Sequence, residues 1–164
     1  MKETLEHIMD TLAHKRYVLE ACSNLVKYLY DNNRENDAIA LARRCSFHDN
    51  SKFLDEEMYN FTKLPPEKET MKNPKKSITK EVENVISIHW KNNSHHPEYY
   101  KSYKDMSELD IMEMVCDWYA RSLQFQTNFL EFVDTRQQTR FQFDDDFYNK
   151  VYKYCKIITD KEEY

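Results

Sequence analysis

The chain has 164 residues, with 24 Lys and Arg against 29 Asp and Glu and a formal net charge of −5. That length suffices for one domain with a real core, and the acid excess gives no general attraction to nucleic acid or to an anionic membrane. Glycine is absent and only 4 prolines occur, which argues against a β-rich fold, a phosphate-cradling glycine loop and a dinucleotide fingerprint.

The first predicted helix covers residues 4–32. Leu12, Val18, Leu25 and Val26 form its apolar side, with His14 on the margin. The second, residues 35–49, carries Ala38, Leu41, Ala42 and Cys45, and one more turn at the same spacing lands on His48 and Asp49. A short third helix spans residues 54–63, and Pro65 and Pro66 stop it. Residues 64–78 form a loop rich in Lys and Pro. Lys63, Lys68, Lys72, Lys75, Lys76 and Lys80 make this region locally basic, and it reads as a solvated loop rather than a phosphate-attracting lid. The fourth helix, residues 79–93, aligns Val82, Val85 and Ile86 with His89. A polar, aromatic connection holding His95, His96, Pro97 and Glu98 follows. Ser107 and Asp110 form a capping-box pattern that opens a long fifth helix, residues 107–133. Ile111, Met114, Val115, Trp118 and Phe125 line its apolar arc, with Asp117 at the edge. Residues 134–143 link to a last helix beginning near Asp144, where several Asp residues suit a helix N-terminus.

These elements predict one all-α domain over residues 1–164, a bundle of about six helices with a metal site at its centre. No apolar stretch is long enough to cross a bilayer. The N-terminus alternates charged and apolar residues, so no signal peptide is expected. Cys22, Cys45, Cys116 and Cys155 are widely spaced without a CxxC pair. They read as reduced core residues of a cytoplasmic protein, not as a thiolate zinc site.

A carboxylate aimed at a core is costly unless something pairs with it. Here four predicted helices each turn His or Asp toward a shared interior, and a metal ion is the partner that suits them. In chain order the candidates are His14, His48–Asp49, His89, His95–His96 and Asp117. Mixed imidazole and carboxylate donors favour one or two divalent transition metals: Mn, Fe, Co, Ni or Zn.

The ordered set resembles the HD-domain superfamily of metal-dependent phosphohydrolases. More narrowly, it resembles a group of small HD-like proteins of bacteria and their phages. The stretches that carry the likeness are HDNSKF at 48–53, HWKNNSHHPEYY at 89–100 and EMVCDWYA at 113–120. The resemblance implies that His14, His48, Asp49 and Asp117 hold a first metal. It implies that His89 and one of His95 and His96 hold a second, with Asp49 bridging. His96 is the favoured ligand, which leaves His95, with Asn93 and Lys52, to the substrate. Lys52 follows Asp49 by three positions, as in an HDxxK variant, and Asp49 and Lys52 are the implied catalytic pair. Glu113, Asp110, Glu57 and Glu98 are candidates to accept hydrogen bonds from metal-bound imidazoles, although Asp110 and Arg121 also read as a solvated helix face.

The expected activity is hydrolysis of a nucleotide or other small phosphate ester. A metal supports this by lowering the pKa of bound water from about 15.7 to roughly 7. The alternatives are an HD-like di-iron oxygenase and a non-catalytic protein that binds metal or nucleotide. The expected partner is a small phosphorylated molecule, with no membrane and no strong nucleic-acid signal.

Overall fold

Seven α-helices and no strand occupy the described residues of the computed structural model, which are 2–64 and 80–160. They are α1 (Lys2–Asp31), α2 (Glu35–Phe47), α3 (Asp55–Phe61), α4 (Lys80–Asn92), α5 (Glu108–Phe125), α6 (Phe129–Arg136) and α7 (Asp145–Thr159). Short 3₁₀ turns at Asn50–Phe53, Pro97–Tyr99 and Tyr103–Asp105 and a π-turn at Gln137–Phe141 fill the connections. Among the described residues no helix is long and apolar enough to cross a membrane. Pro65, Pro66, Lys68, Lys72, Lys75 and Lys76 lie outside the described residues, and so does the side chain of Val82.

The centre of the bundle is α5. Every residue from Asp110 to Trp118 is buried, so this helix is enclosed on all sides over more than two turns. Its start is fixed as its sequence predicts. Ser107 accepts from the Asp110 backbone N–H while Asp110 accepts from the Ser107 backbone N–H, a complete capping box. Against α5 pack α1, α2, α6 and α7, and Val18, Leu25, Leu41, Val115, Val133 and Val151 are among the fully enclosed side chains that join them.

Several expected faces turn. On α1 the buried stripe is Thr11, His14, Val18, Cys22, Leu25 and Leu29, at three- and four-residue steps, while Leu12 is 54% exposed. His14 therefore lies in the middle of the buried stripe, not on its margin. On α2 Ala42 is exposed, leaving Ala38, Leu41 and Cys45 as the inward line. That helix ends at Phe47, so His48 and Asp49 are not its last turn. His48 caps it and Asp49 swings into the left-handed region with φ 55°.

The expected single helix over 107–133 is two helices. Gln126 takes φ 56° and closes α5, its N–H reaching Leu123 and Ser122 carbonyls. Asn128 then caps α6 through the Glu131 N–H. An Asn three residues before a Glu is a start signal, and the apolar periodicity running across the break masked it. The expected link over 134–143 is likewise helical through Arg136 and then a π-turn.

With no glycine available, left-handed positions fall to Asn33, Asp49, Gln126 and Gln142. A non-glycine residue there costs roughly 1–2 kcal/mol, less for Asn and Asp. Gln126→Gly is expected to raise stability by about 1 kcal/mol and Tm by roughly 2–4 °C. Thermal denaturation of the variant beside the parent checks this; an unchanged or lower Tm would show that Gln126 side-chain packing outweighs the relief of its backbone.

Candidate metal centre

His14 projects from the buried stripe of α1, and Asp117 from the enclosed face of α5. His48 and Asp49 come from the turn after α2, His89 from the last turn of α4, and His95 and His96 from the turn that follows it. Nε2 of His14 stands 2.9 Å from Asp117 Oδ1, 3.3 Å from His48 Nε2 and 3.9 Å from Asp49 Oδ2. His48 Nε2 is 3.5 Å from the same Asp49 Oδ2 and 3.8 Å from Asp117 Oδ1. The other carboxylate oxygen, Asp49 Oδ1, faces His89 Nε2 at 3.3 Å and His95 Nε2 at 3.5 Å. His96 joins this side: Asp49, His89, His95 and His96 each place a donor atom within 4.8 Å of the others.

The imidazoles are turned by acceptors behind them. His14 Nδ1 meets Gln124 Oε1 at 2.9 Å, and His48 Nδ1 meets Glu113 Oε1 at 3.1 Å. His89 Nδ1 meets Glu57 Oε2 at 2.8 Å, and His95 Nδ1 meets Glu113 Oε1 at 3.3 Å. A carboxylate or an amide oxygen only accepts, so each of these four rings carries a proton on Nδ1, and in the neutral form its Nε2 presents a lone pair inward. With the rings neutral, the Nε2 atoms and the oxygens of Asp49 and Asp117 confront one another with electron pairs, a place that a cation or a proton on His48 would fill. Asp49 Oδ1, His95 Nε2 and His96 Nε2 are buried without a hydrogen-bond partner among the described residues. Such orphaned acceptors are costly unless a cation satisfies them.

Donors about 2.0–2.2 Å from a common ion lie roughly 3–3.6 Å apart, and most of the spacings here fall in or near that range. Mixed imidazole and carboxylate donors are those of a transition-metal site. The residues fit one ion among His14, His48, Asp49 and Asp117, and a second among Asp49, His89, His95 and His96.

The electrostatics agree. Asp49, Glu57, Asp110, Glu113 and Asp117 are buried carboxylates. Lys52 pairs with Asp49 Oδ2 at 2.8 Å, and Arg44 binds Glu113 at 3.0 Å and also Asp110. Burial opposes ionisation of Asp49, yet His48, Lys52 and His89 outweigh it and hold its carboxyl well below the usual range. Burial likewise opposes charge on His48, but Asp49, Asp117 and Glu113 push its pKa up to about 10. His14 goes the other way, down to about 4, because burial and the nearby Arg121 outweigh Asp117. The carboxylates thus draw a positive charge into the place the donors surround.

The chain matches the family of unknown function DUF5662 over residues 3–157. It belongs to that family. No curated protein and no solved structure matches it. In this DUF5662 chain the structure gathers His14, His48, Asp49, His89, His96 and Asp117 as the sequence grouped them, and it adds His95. His95, expected at the substrate, stands among the other donors: its Nε2 is 3.5 Å from Asp49 Oδ1 and its Nδ1 is 3.3 Å from Glu113 Oε1. Asn93, also expected at the substrate, lies beside His89 and Ser51. Its amide donates to the His89 carbonyl at 2.8 Å and to Ser51 Oγ at 2.9 Å, so it braces the site. Among the expected acceptors, Glu113 and Glu57 serve imidazoles. Asp110 instead takes Arg44, Ser94, Ser107 and Tyr100, and Glu98 takes Arg140. Asp110 is buried, contrary to its reading as a solvated face. Gln124 and Arg44 were missed. Gln124 lies seven residues after Asp117 on the same helix face, a spacing that would have found it.

Glu113 serves two imidazoles from opposite sides of Asp49, so its loss disturbs both halves of the centre. Glu113→Gln is expected to weaken metal affinity about 10–100-fold with helical content unchanged. Competition against a chromophoric chelator, with circular dichroism alongside, measures both; parental affinity would show that Glu113 orients neither ring.

Proposed function

We propose that this DUF5662 chain is an HD-like metal-dependent phosphohydrolase acting on a nucleotide or other small phosphorylated molecule. One observation supports the reading above all. The two oxygens of a single buried carboxylate, Asp49, face two separate sets of imidazoles. That arrangement suits a pair of divalent ions sharing one bridging ligand. When bound, such ions activate water and offset charge on a phosphoryl group.

The chain's own residues would divide the remaining work. His14, His48 and Asp117 would hold one ion, and His89, His95 and His96 the other, with Asp49 common to both. Gln124, Glu113 and Glu57 keep Nδ1 of His14, His48, His95 and His89 protonated and hold those four rings in place. Lys52 is buried against the centre, its ammonium 2.8 Å from Asp49 Oδ2 and 5.3 Å from the centroid of the Phe61 ring. From there it would donate to a phosphoryl oxygen as charge builds on it. In the hydrolysis, water adds to phosphorus, the bond from phosphorus to the leaving oxygen breaks, and that oxygen gains a proton.

Elemental analysis of protein purified without chelator is the test, on wild type and Asp49→Ala. About one or two equivalents of transition metal are expected in wild type and little in the variant. Metal-loaded wild type is then expected to release phosphate, or to cleave a diester, in a screen with Mn²⁺, Co²⁺ and Ni²⁺. Lys52→Met should lower that turnover roughly 100-fold, about the scale of one lost electrostatic donor, with metal content retained. Absence of metal after reconstitution, or turnover only with iron and O₂, would overturn the hydrolase reading.

A further inference from the structure

Three arginines, Arg121, Arg136 and Arg140, lie around the part of the centre that holds Asp117 and His96. Arg121 follows Asp117 by one turn of α5, its Nε 3.7 Å from Asp117 Oδ1. Arg140, in the π-turn, lies 4.3 Å over the Trp90 ring, whose centroid is 6.4 Å from that of His96. Glu98 fixes it there at 2.6 Å. Arg136 closes α6, half-buried against the Phe132 ring at 4.9 Å, and makes no ion pair with a described residue. Burial and the like charge of Arg140 both pull its pKa down, and only the charge of Asp117 supports it. A half-buried guanidinium without a carboxylate, beside a second guanidinium, is an arrangement that an anion would relieve. Its planar fork matches phosphate geometry. A π-turn at this point also fits, since such distortions are frequent at functional sites.

We propose that Arg136, with Arg121 and Arg140, binds a second anionic group of the substrate, so that the substrate carries a phosphoanhydride chain rather than a single phosphate. The inference rests on the phosphohydrolase reading, with one phosphate at the ion pair and the next ones at the arginines. Arg136 is then a specificity residue, and the chain can belong to a nucleotide or to an inorganic oligophosphate.

Isothermal titration of the metal-loaded full chain with orthophosphate, tripolyphosphate and ATP tests it, with metal content measured after each run. Wild type is expected to bind tripolyphosphate at least tenfold more tightly than orthophosphate. Arg136→Gln is expected to erase that preference while keeping metal content, Tm and orthophosphate affinity. ATP binding tighter than tripolyphosphate assigns the chain to a nucleotide; equal affinities assign recognition to the phosphates alone. Orthophosphate bound with tripolyphosphate no tighter, or a preference that survives in Arg136→Gln, overturns this inference and leaves the phosphohydrolase reading standing. Failure of the metal-loaded chain to bind any of the three overturns both.

Discussion

The structure turns on the carboxylate of Asp49. It is 2% exposed, and burying a carboxylate without compensation costs far more than a domain of this size has in net stability. The fold answers by bringing Lys52 to one oxygen and imidazoles to both. His14 comes from α1, His48 from the same turn, His89 from α4 and His95 from the turn beyond it. Helices distant in sequence are therefore tied through a single side chain. The left-handed backbone at Asp49 belongs to the same arrangement. At φ 55° the chain reverses directly after α2, so that adjacent His48 and Asp49 side chains converge on one point, as they would not on a continuing helix. Strain of this kind persists where surrounding contacts over-determine it, and it clusters at functional sites.

Around this carboxylate the charges alternate outward. The innermost layer is acceptor atoms. Behind it stand Glu113, Glu57 and Gln124, each taking an imidazole N–H. Behind Glu113 stands Arg44, which also takes Asp110, and Asp110 is in turn the capping residue of α5. The same aspartate that starts the central helix thus holds the arginine that holds the glutamate that aims two histidines. That continuity lets a helix cap contribute to the centre's geometry. It also explains why nine consecutive residues of α5 can be buried although three of them are acidic.

Much of this was legible from residue spacing, and the failures have physical causes. His89 follows Val85 by one turn, so helical periodicity alone pointed it inward. The inward direction of His48 and Asp49 was read correctly for a wrong reason. The periodicity reached them, but it is the break after Phe47 that places them. Leu12 misled because hydrophobicity was taken as burial. The helix buries Thr11 and His14 instead, since the interior there is polar and the histidine has partners. The break at Gln126 was invisible because left-handed caps are normally marked by glycine, and this chain has none. Contacts between side chains far apart in sequence, such as Arg44 with Glu113 or Glu57 with His89, leave no local spacing to detect.

The absence of glycine and the chemistry of the centre are connected at one residue. A left-handed turn after α2 would ordinarily go to glycine, which brings no side chain. Aspartate accepts that conformation at lower cost than most residues, and here it brings the carboxylate on which the whole cluster converges. The turn and the central carboxylate are thus one residue, and the direction of the side chain is fixed by the backbone that the turn requires. A glycine at this place would ease the backbone and remove the one anion that His14, His48, His89 and His95 all face. The cost of the left-handed turn is what places this carboxylate where His14 of α1, His89 of α4 and His48 of the turn itself converge.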